Sequence, residues 1–364
     1  MLAMSRRLDG LPARPKRRLE CGVTAMRLVT IQPESGQAAD PWGFRVAVVL
    51  PSARLLPVVA LARLTPDLLS EEIDGLDLAR IMALDPTGEV IKRALARVSD
   101  AALNEEAIDP ATVRLAAPIP RPGKIVGVGN NYLEHLREQG LDKPTRPTLF
   151  SKFSNSVVGD REPIRRPAGT NALDLEAELA VVIGRRATRV AAADGLAYVA
   201  GYCVANDVTA RDWQGKTGAA GDGQWFRAKG SDTFLPLGPA LVTADGRDGR
   251  GLKIRSWLTK ASGPSAGQEM LMQDGDTSDL LVGVGELVSL ISAEITLEPG
   301  DIIITGTPSG VGVSRKPPIF MEPGDVVRVE IEGIGSLTNP VVDAAGRAPD
   351  GSPAARFEAE AVPA

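Results

Sequence analysis

His135 is the sole histidine in a chain of 364 residues. It lies in Asn130-Asn131-Tyr132-Leu133-Glu134-His135-Leu136-Arg137-Glu138, where an apolar strand pattern gives way to a helical one. Any step that needs an imidazole near neutral pH has this one ring to use. Glu138 follows three residues on, a spacing at which a helix lets a carboxylate orient the ring and stabilise its protonated form. Downstream, Asp174-Leu175-Glu176-Ala177-Glu178-Leu179 would, as extended chain, put Asp174, Glu176 and Glu178 on one face. Two or three like charges that close repel unless water screens them or a cation binds. The continuation into Ala180-Val181-Val182-Ile183 argues for a buried sheet and so for the cation. Asp207 closes the apolar run Tyr202-Cys203-Val204-Ala205-Asn206, and a carboxylate carried inside the protein needs a partner. That partner is either Arg211, four residues on, or the same cation. Oxygen ligands from Glu176, Glu178 and Asp207, with no cysteine nearby, favour Mg²⁺, with Mn²⁺ or Ca²⁺ behind it.

The elements that must position these residues are legible around them. Lys124-Ile125-Val126-Gly127-Val128-Gly129 predicts a short buried strand, and Tyr132 to Gln139 a short helix stopped by Gly140. This is no dinucleotide fingerprint, because the third glycine and the acid at the next strand end are missing. Leu179 to Ile183, Tyr198 to Ala205, Leu237 to Val242, Ile254 to Leu258, Ile302 to Thr305 and Val326 to Ile331 read as strands divided by Gly, Pro and Asp turns. Glu-Pro-Gly-Asp precedes a strand twice, at Glu298 to Asp301 and Glu322 to Asp325. A helix is expected from Asp279 to Ile291, started by Thr277-Ser278-Asp279. Gly306, Gly310 and Gly312 read as turn residues, since no Lys-Ser/Thr pair follows them as a phosphate loop requires.

The fold class expected is α+β and strand-rich. Before the prolines, a strand pattern from Phe44 to Leu50 alternates with helical patterns at Leu76 to Leu84 and Val90 to Val98. This predicts a small N-terminal α/β domain over 26–115, ended by the stiff Pro118-Ile119-Pro120-Arg121-Pro122 connector. The catalytic domain is expected over 116–343. Residues 1–25 hold six basic side chains with no apolar core after them, which fails the test for a secretory signal and reads as a disordered extension. The Ala/Pro/Gly-rich stretch 344–364 reads as a disordered tail.

Composition narrows the function classes. Lys plus Arg number 41 against 46 acids, a net charge of −5 that offers no electrostatic reason to seek nucleic acid. Two cysteines exclude a disulfide framework and a thiolate metal site, which fits a reducing compartment, and a cytoplasmic protein is expected. The longest apolar stretch, Phe44 to Leu64, is interrupted by Arg45, Pro51, Arg54, Pro57 and Arg63, so no membrane span is expected.

Taken in order, these stretches resemble the fumarylacetoacetate hydrolase family from about Leu115 to Val342. The resemblance rests on Gly129-Asn130-Asn131-Tyr132 with His135 and Glu138, on Asp174 to Leu179, on Tyr202 to Asp212, and on Lys229 before Ser231-Asp232-Thr233-Phe234. It continues through Gln273-Asp274-Gly275-Asp276-Thr277-Ser278 and Thr305-Gly306-Thr307-Pro308-Ser309-Gly310-Val311-Gly312. It implies a mixed β-sandwich roll, a homodimer, a divalent ion on Glu176, Glu178 and Asp207, and substrate contacts by Arg211, Gln214, Lys229, Thr307 and Tyr132. Two departures stand out: Gly230 follows the lysine where the family usually has serine, and residues 261–268 look like a small insertion in a hairpin.

The family's reactions share one difficulty, negative charge on an enolate oxygen, which a chelated cation relieves. The leading expectation is therefore a hydrolase of the C–C bond in a β-diketo acid, acylpyruvate or other 2-oxo acid or 1,3-diketone, of the kind used in aromatic-compound catabolism. In it Lys229 and Arg211 neutralise charge while His135, held by Glu138, activates water. The alternative expectation is an oxaloacetate-type decarboxylase, or an isomerase or hydratase of an aromatic-degradation 2-oxo acid, built on the same site.

Overall fold

A computed structural model of the protein describes residues 25–33, 44–215, 223–349 and 352. The expected basic extension lies outside the described residues except for Ala25. The expected tail is described through Pro349 and at Ser352, and its first residues fold back in a turn where the Arg347 amide donates to Asp343 Oδ1 at 2.8 Å.

The strand Ala177–Ile183 is the axis of the molecule, and all seven of its residues are buried. Its pleat alternates between two cores. Leu179, Val181 and Ile183 enter a core shared with Val327, Val329, Ile331, Leu337 and the helix residues Leu287, Val288 and Ile291. Ala180 and Val182 enter the other, with Leu28, Ile81, Met82, Ile91, Ile302 and Ile304. Burial on both faces is why this run reads as continuously apolar. Each fully buried Val, Leu or Ile side chain contributes roughly 1.5–3 kcal/mol.

Ala177–Ile183 pairs antiparallel with Val199–Asn206 on one side and with Ile302–Ile304 on the other. Beyond Ile302–Ile304 come Ile125–Gly129, in parallel, and the edge strand Thr148–Lys152. Beyond Val199–Asn206 come Leu235–Thr243, Arg27–Pro33, Arg45–Val49 and Leu55–Pro57. Among the described residues this sheet has eleven strands, and it continues without a break across the connector expected as a domain boundary. The helices Leu78–Leu84 and Glu89–Leu95 cover one face, so residues 26–115 share a core with the central strands. The other face is covered by a five-stranded sheet running Glu269–Asp276, Lys253–Thr259, Val326–Ile331, Gly335–Val342 and Ile164–Arg165, and by the helix Val284–Ser292. The chain is α+β and strand-rich, as expected.

Local predictions met the structure in most places. The helix Leu133–Gln139 ends at Gly140, whose φ of 66° is the left-handed stop the sequence called for. Both Glu-Pro-Gly-Asp turns close in one way: Asp301 Oδ2 accepts from the Glu298 amide, and Asp325 Oδ2 from the Glu322 amide, each at 2.7 Å. One helix starts later than expected. Thr277–Asp279 forms a separate 3-10 turn, and the helix proper runs Val284–Ser292. Tertiary bonds explain the delay: the Leu281 amide donates to Asn131 O at 2.8 Å and the Val282 amide to Asn131 Oδ1 at 2.9 Å, which holds 280–282 extended. Residues 261–268 form the exposed tip between Lys253–Thr259 and Glu269–Asp276. Gly230 has a packing reason, since a Cβ there would come within 2.7 Å of the Phe153 ring.

Candidate active site and cation centre

Two strand ends and a short helix converge on the acids. Glu178 is the second residue of the central strand, Glu176 sits in the break between Leu173–Asp174 and Ala177–Ile183, and Asp207 follows the last residue of Val199–Asn206. The antiparallel register places Ala177 opposite Asn206, which brings these ends together. Glu176, Glu178 and Asp207 each offer a carboxylate oxygen within 4.8 Å of the others, and all three are buried. Asp174 does not share their face. The break at Leu175 and Glu176 turns it away, and its carboxylate accepts the Gly312 amide at 2.8 Å, the Val313 amide at 3.0 Å and Arg211 Nε at 2.9 Å.

Cations surround the trio. Lys229 Nζ lies 2.6 Å from Glu176 Oε2 and 2.5 Å from Asp207 Oδ2. Arg211 Nη2 lies 2.6 Å from Glu176 Oε1, an ion pair without aligned hydrogen-bond geometry. The alternative helical-spacing pair of Arg211 with Asp207 is not formed; Asp207 Oδ1 instead meets Lys152 Nζ at 2.6 Å. Lys152 also donates to the Lys229 and Val208 carbonyls. Sequence reasoning missed Lys152. The signal was a lysine set between Phe150 and Phe153, a place where a cation becomes buried and requires an acid.

The charges differ in how well they are met. Burial would raise Glu176, but Lys229 and Arg211 hold its carboxyl well below the usual range. Glu178 Oε2 accepts the Gly306 amide at 2.7 Å. Burial, then the charges of Asp207 and Glu176, push its carboxyl well above the usual range. Burial lowers the Lys152 ammonium to about 8. Tyr132 is fully buried, its hydroxyl has no hydrogen-bond partner among the described residues, and burial followed by the Glu178 charge raises its phenol. Among the described residues four carboxyls, counting Asp174, face Lys152, Arg211 and Lys229, so the cluster carries one negative charge in excess only when all four, Glu178 included, are ionised. A hard divalent cation fits this donor set, because each engaged carboxylate oxygen keeps a second acceptor direction and, among the described residues, Glu178 has no cation of its own.

The acid–base pair stands on the helix Leu133–Gln139. His135 Nδ1 lies 3.0 Å from Glu138 Oε2, and Glu138 Oε1 accepts the Gly310 amide at 2.9 Å. Burial opposes it, but the hydrogen bonds from His135 and the Gly310 amide keep the Glu138 carboxyl below its usual range. His135 is 8% exposed, so Nε2 is the ring nitrogen left to exchange a proton. Three glycine amides of one loop, at 306, 310 and 312, thus each hold a different acid. The sequence showed turn glycines; that their N–H groups point at carboxylates was not visible in it.

Gln214 is buried, and its Oε1 accepts from Arg211 Nη1 at 3.1 Å. Thr307 is 5% exposed; its hydroxyl donates to the Ala177 carbonyl at 2.9 Å and accepts from Gln273 Nε2 at 2.7 Å. The aromatics of this region divide. Trp213 donates to the Gly169 carbonyl and lies under Arg227, Trp225 packs edge-on to Phe150, and Phe226 is 71% exposed.

The sequence pattern described as fumarylacetoacetate (FAA) hydrolase C-terminal matches residues 124–342. The chain is 40% identical over 279 residues to a mitochondrial oxaloacetate tautomerase of Xenopus laevis, covering 74% of this chain and 84% of that one. Among solved structures, the fumarylacetoacetate hydrolase of the psychrophilic Exiguobacterium antarcticum superposes with a TM-score of 0.67 at 30% identity, over 88% of this chain and 100% of the other. A probable 2-hydroxyhepta-2,4-diene-1,7-dioate isomerase of Mycobacterium abscessus superposes with a TM-score of 0.65 at 30% identity, over 88% and 98%. The chain belongs to the fumarylacetoacetate hydrolase family.

Proposed function

We propose that this protein moves a proton at the carbon beside the carbonyl of a small anionic 2-oxo acid, interconverting keto and enol forms, with oxaloacetate as the substrate. The observation that carries this reading is the His135–Glu138 pair, whose imidazole is buried, near a carboxylate cluster that a divalent cation would turn net positive. Such a cluster attracts a small anion and meets charge that develops on its oxygen. The likeness to an oxaloacetate tautomerase and to an isomerase supports this choice over the C–C hydrolase expected first.

Glu176, Glu178 and Asp207 would hold the cation, with Mg²⁺ the leading choice. When bound, it supplies Lewis-acid relief of the negative charge on the 2-oxo oxygen. Lys229 and Arg211 neutralise the substrate's charge, and Gln214 Nε2, Thr307 and Tyr132 bound the rest of the pocket. His135 Nε2 takes the proton from the carbon as the electron pair forms the C–C double bond and the C=O π pair moves onto the 2-oxo oxygen, and the imidazolium then gives that proton up to the oxygen, which completes the enol and restores the neutral ring. Glu138 holds the ring through Nδ1 and stabilises the imidazolium that forms.

A homodimer is part of the proposal, on family likeness. For the compartment we propose a reducing one, which cytoplasm and mitochondrial matrix share; fractionation of source cells separates the two. Among the described residues no helix is long and apolar enough to cross a membrane. The test of function is product analysis with Mg²⁺ on oxaloacetate and on acylpyruvates. Accelerated keto–enol interconversion supports the proposal. Acylpyruvate cleavage without it returns the function to the hydrolase, and carbon dioxide release as the dominant event returns it to the decarboxylase.

A further inference from the structure

Gln273 is fully buried in the strand Glu269–Asp276, and its amide uses its whole hydrogen-bonding capacity. Oε1 accepts the Ala177 amide at 2.9 Å and the Ser256 hydroxyl at 2.9 Å. Nε2 donates to Thr307 Oγ1 at 2.7 Å and to the Pro308 carbonyl at 2.8 Å. Ala177 stands between Glu176 and Glu178, and Thr307 and Pro308 belong to the loop that carries the Gly306 and Gly310 amides. One side chain from a different sheet therefore ties the acid-bearing strand to that loop.

We infer that Gln273 is a positioning residue that sets the spacing between the carboxylates of the cation centre and the Thr307 loop, and thereby the fit of the substrate. This deepens the proposed function and rests on it in one respect, the placing of substrate against Thr307. The amide is suited to the task because it joins two donors and two acceptors in one plane, and no other uncharged side chain of its size does. A glutamate there keeps the shape and the acceptors but directs an anion at the Pro308 carbonyl, so the loop must move while the link to Ala177 can remain.

The test is Gln273→Glu, read three ways: thermal unfolding, calorimetric titration with Mg²⁺ alone, and steady-state kinetics on oxaloacetate. The expected result is a folded protein with Mg²⁺ affinity within about threefold of wild type and KM raised about tenfold or more, the size of effect that a buried group losing its partner produces. An unchanged KM in a folded variant overturns the inference. So does a rise in KM matched by an equal loss of Mg²⁺ affinity, which is the signature of general loosening. Should the variant not fold, Ser256→Ala carries the test by removing the hydroxyl that orients Gln273 Oε1 without touching the substrate pocket. A raised KM is then expected, and a wild-type KM overturns the inference. If the wild-type protein itself does not act on oxaloacetate, it is the functional proposal that fails, and the Mg²⁺ titration reports on the site independently.

Discussion

Lys152 Nζ lies 2.6 Å from Asp207 Oδ1, and neither side chain is reached by solvent. The pair joins the edge strand Thr148–Lys152 to the end of Val199–Asn206, across three intervening strands of the sheet. A buried pair of this kind is costly to break from one side, because the remaining charge keeps its desolvation penalty without its attraction. Lys152→Met is expected to destabilise the protein by about 3–5 kcal/mol. Adding Asp207→Asn is expected to restore part of the loss. Chemical denaturation of both variants checks this, and a single variant as stable as wild type would contradict it.

Among the described residues, Glu178 is the acid of the trio with no side-chain cation within ion-pair distance. Glu178→Gln should leave the cation-free protein as stable as wild type or more so, since burial and the repulsion from Asp207 and Glu176 act on the charged form. Mg²⁺ affinity should fall about a hundredfold or more, as a ligand charge is lost. Thermal unfolding in chelator, paired with calorimetry, reads both. A destabilised variant that binds Mg²⁺ normally would contradict the assignment.

The acid side of the stability profile tests Glu138. Its carboxyl lies below the ordinary value of 4.5, so between the folded value and 4.5 the unfolded chain binds more protons than the folded one. Its contribution is therefore fully present above about 4.5 and is lost as pH falls through the folded value. Comparing wild type with Glu138→Gln, the wild-type advantage in unfolding midpoint should shrink on acidification below about 4.5. An advantage that grows on acidification would show the sign to be wrong.

The central strand was legible because Ala180 to Ile183 is an unbroken apolar run, and the His135–Glu138 pair because helical spacing alone brings i and i+3 together. Other features depend on contacts distant in sequence. Lys152 is sealed in by the short helix Trp225–Gly230, and its bond to the Lys229 carbonyl spans 77 residues. The helix expected from Asp279 is delayed by Asn131, which lies 151 residues before Val282. Asp174 keeps the alternation of Glu176 and Glu178 in the sequence but loses it in space, because Glu176 sits in a break where its amide donates to Asn206 Oδ1 at 3.0 Å. Residue type marked the chemistry; the partners of each charge came from the fold.

The most direct test is exchange of the C3 protons of oxaloacetate in heavy water, followed by proton nuclear magnetic resonance with Mg²⁺ for wild type and His135→Ala. The account predicts exchange well above the uncatalysed rate in wild type. It also predicts a loss of about two orders of magnitude or more in the variant, the size expected for removing a general base, with Mg²⁺ binding retained. Equal exchange by both proteins, or acylpyruvate cleavage by wild type with no exchange above background, would contradict it.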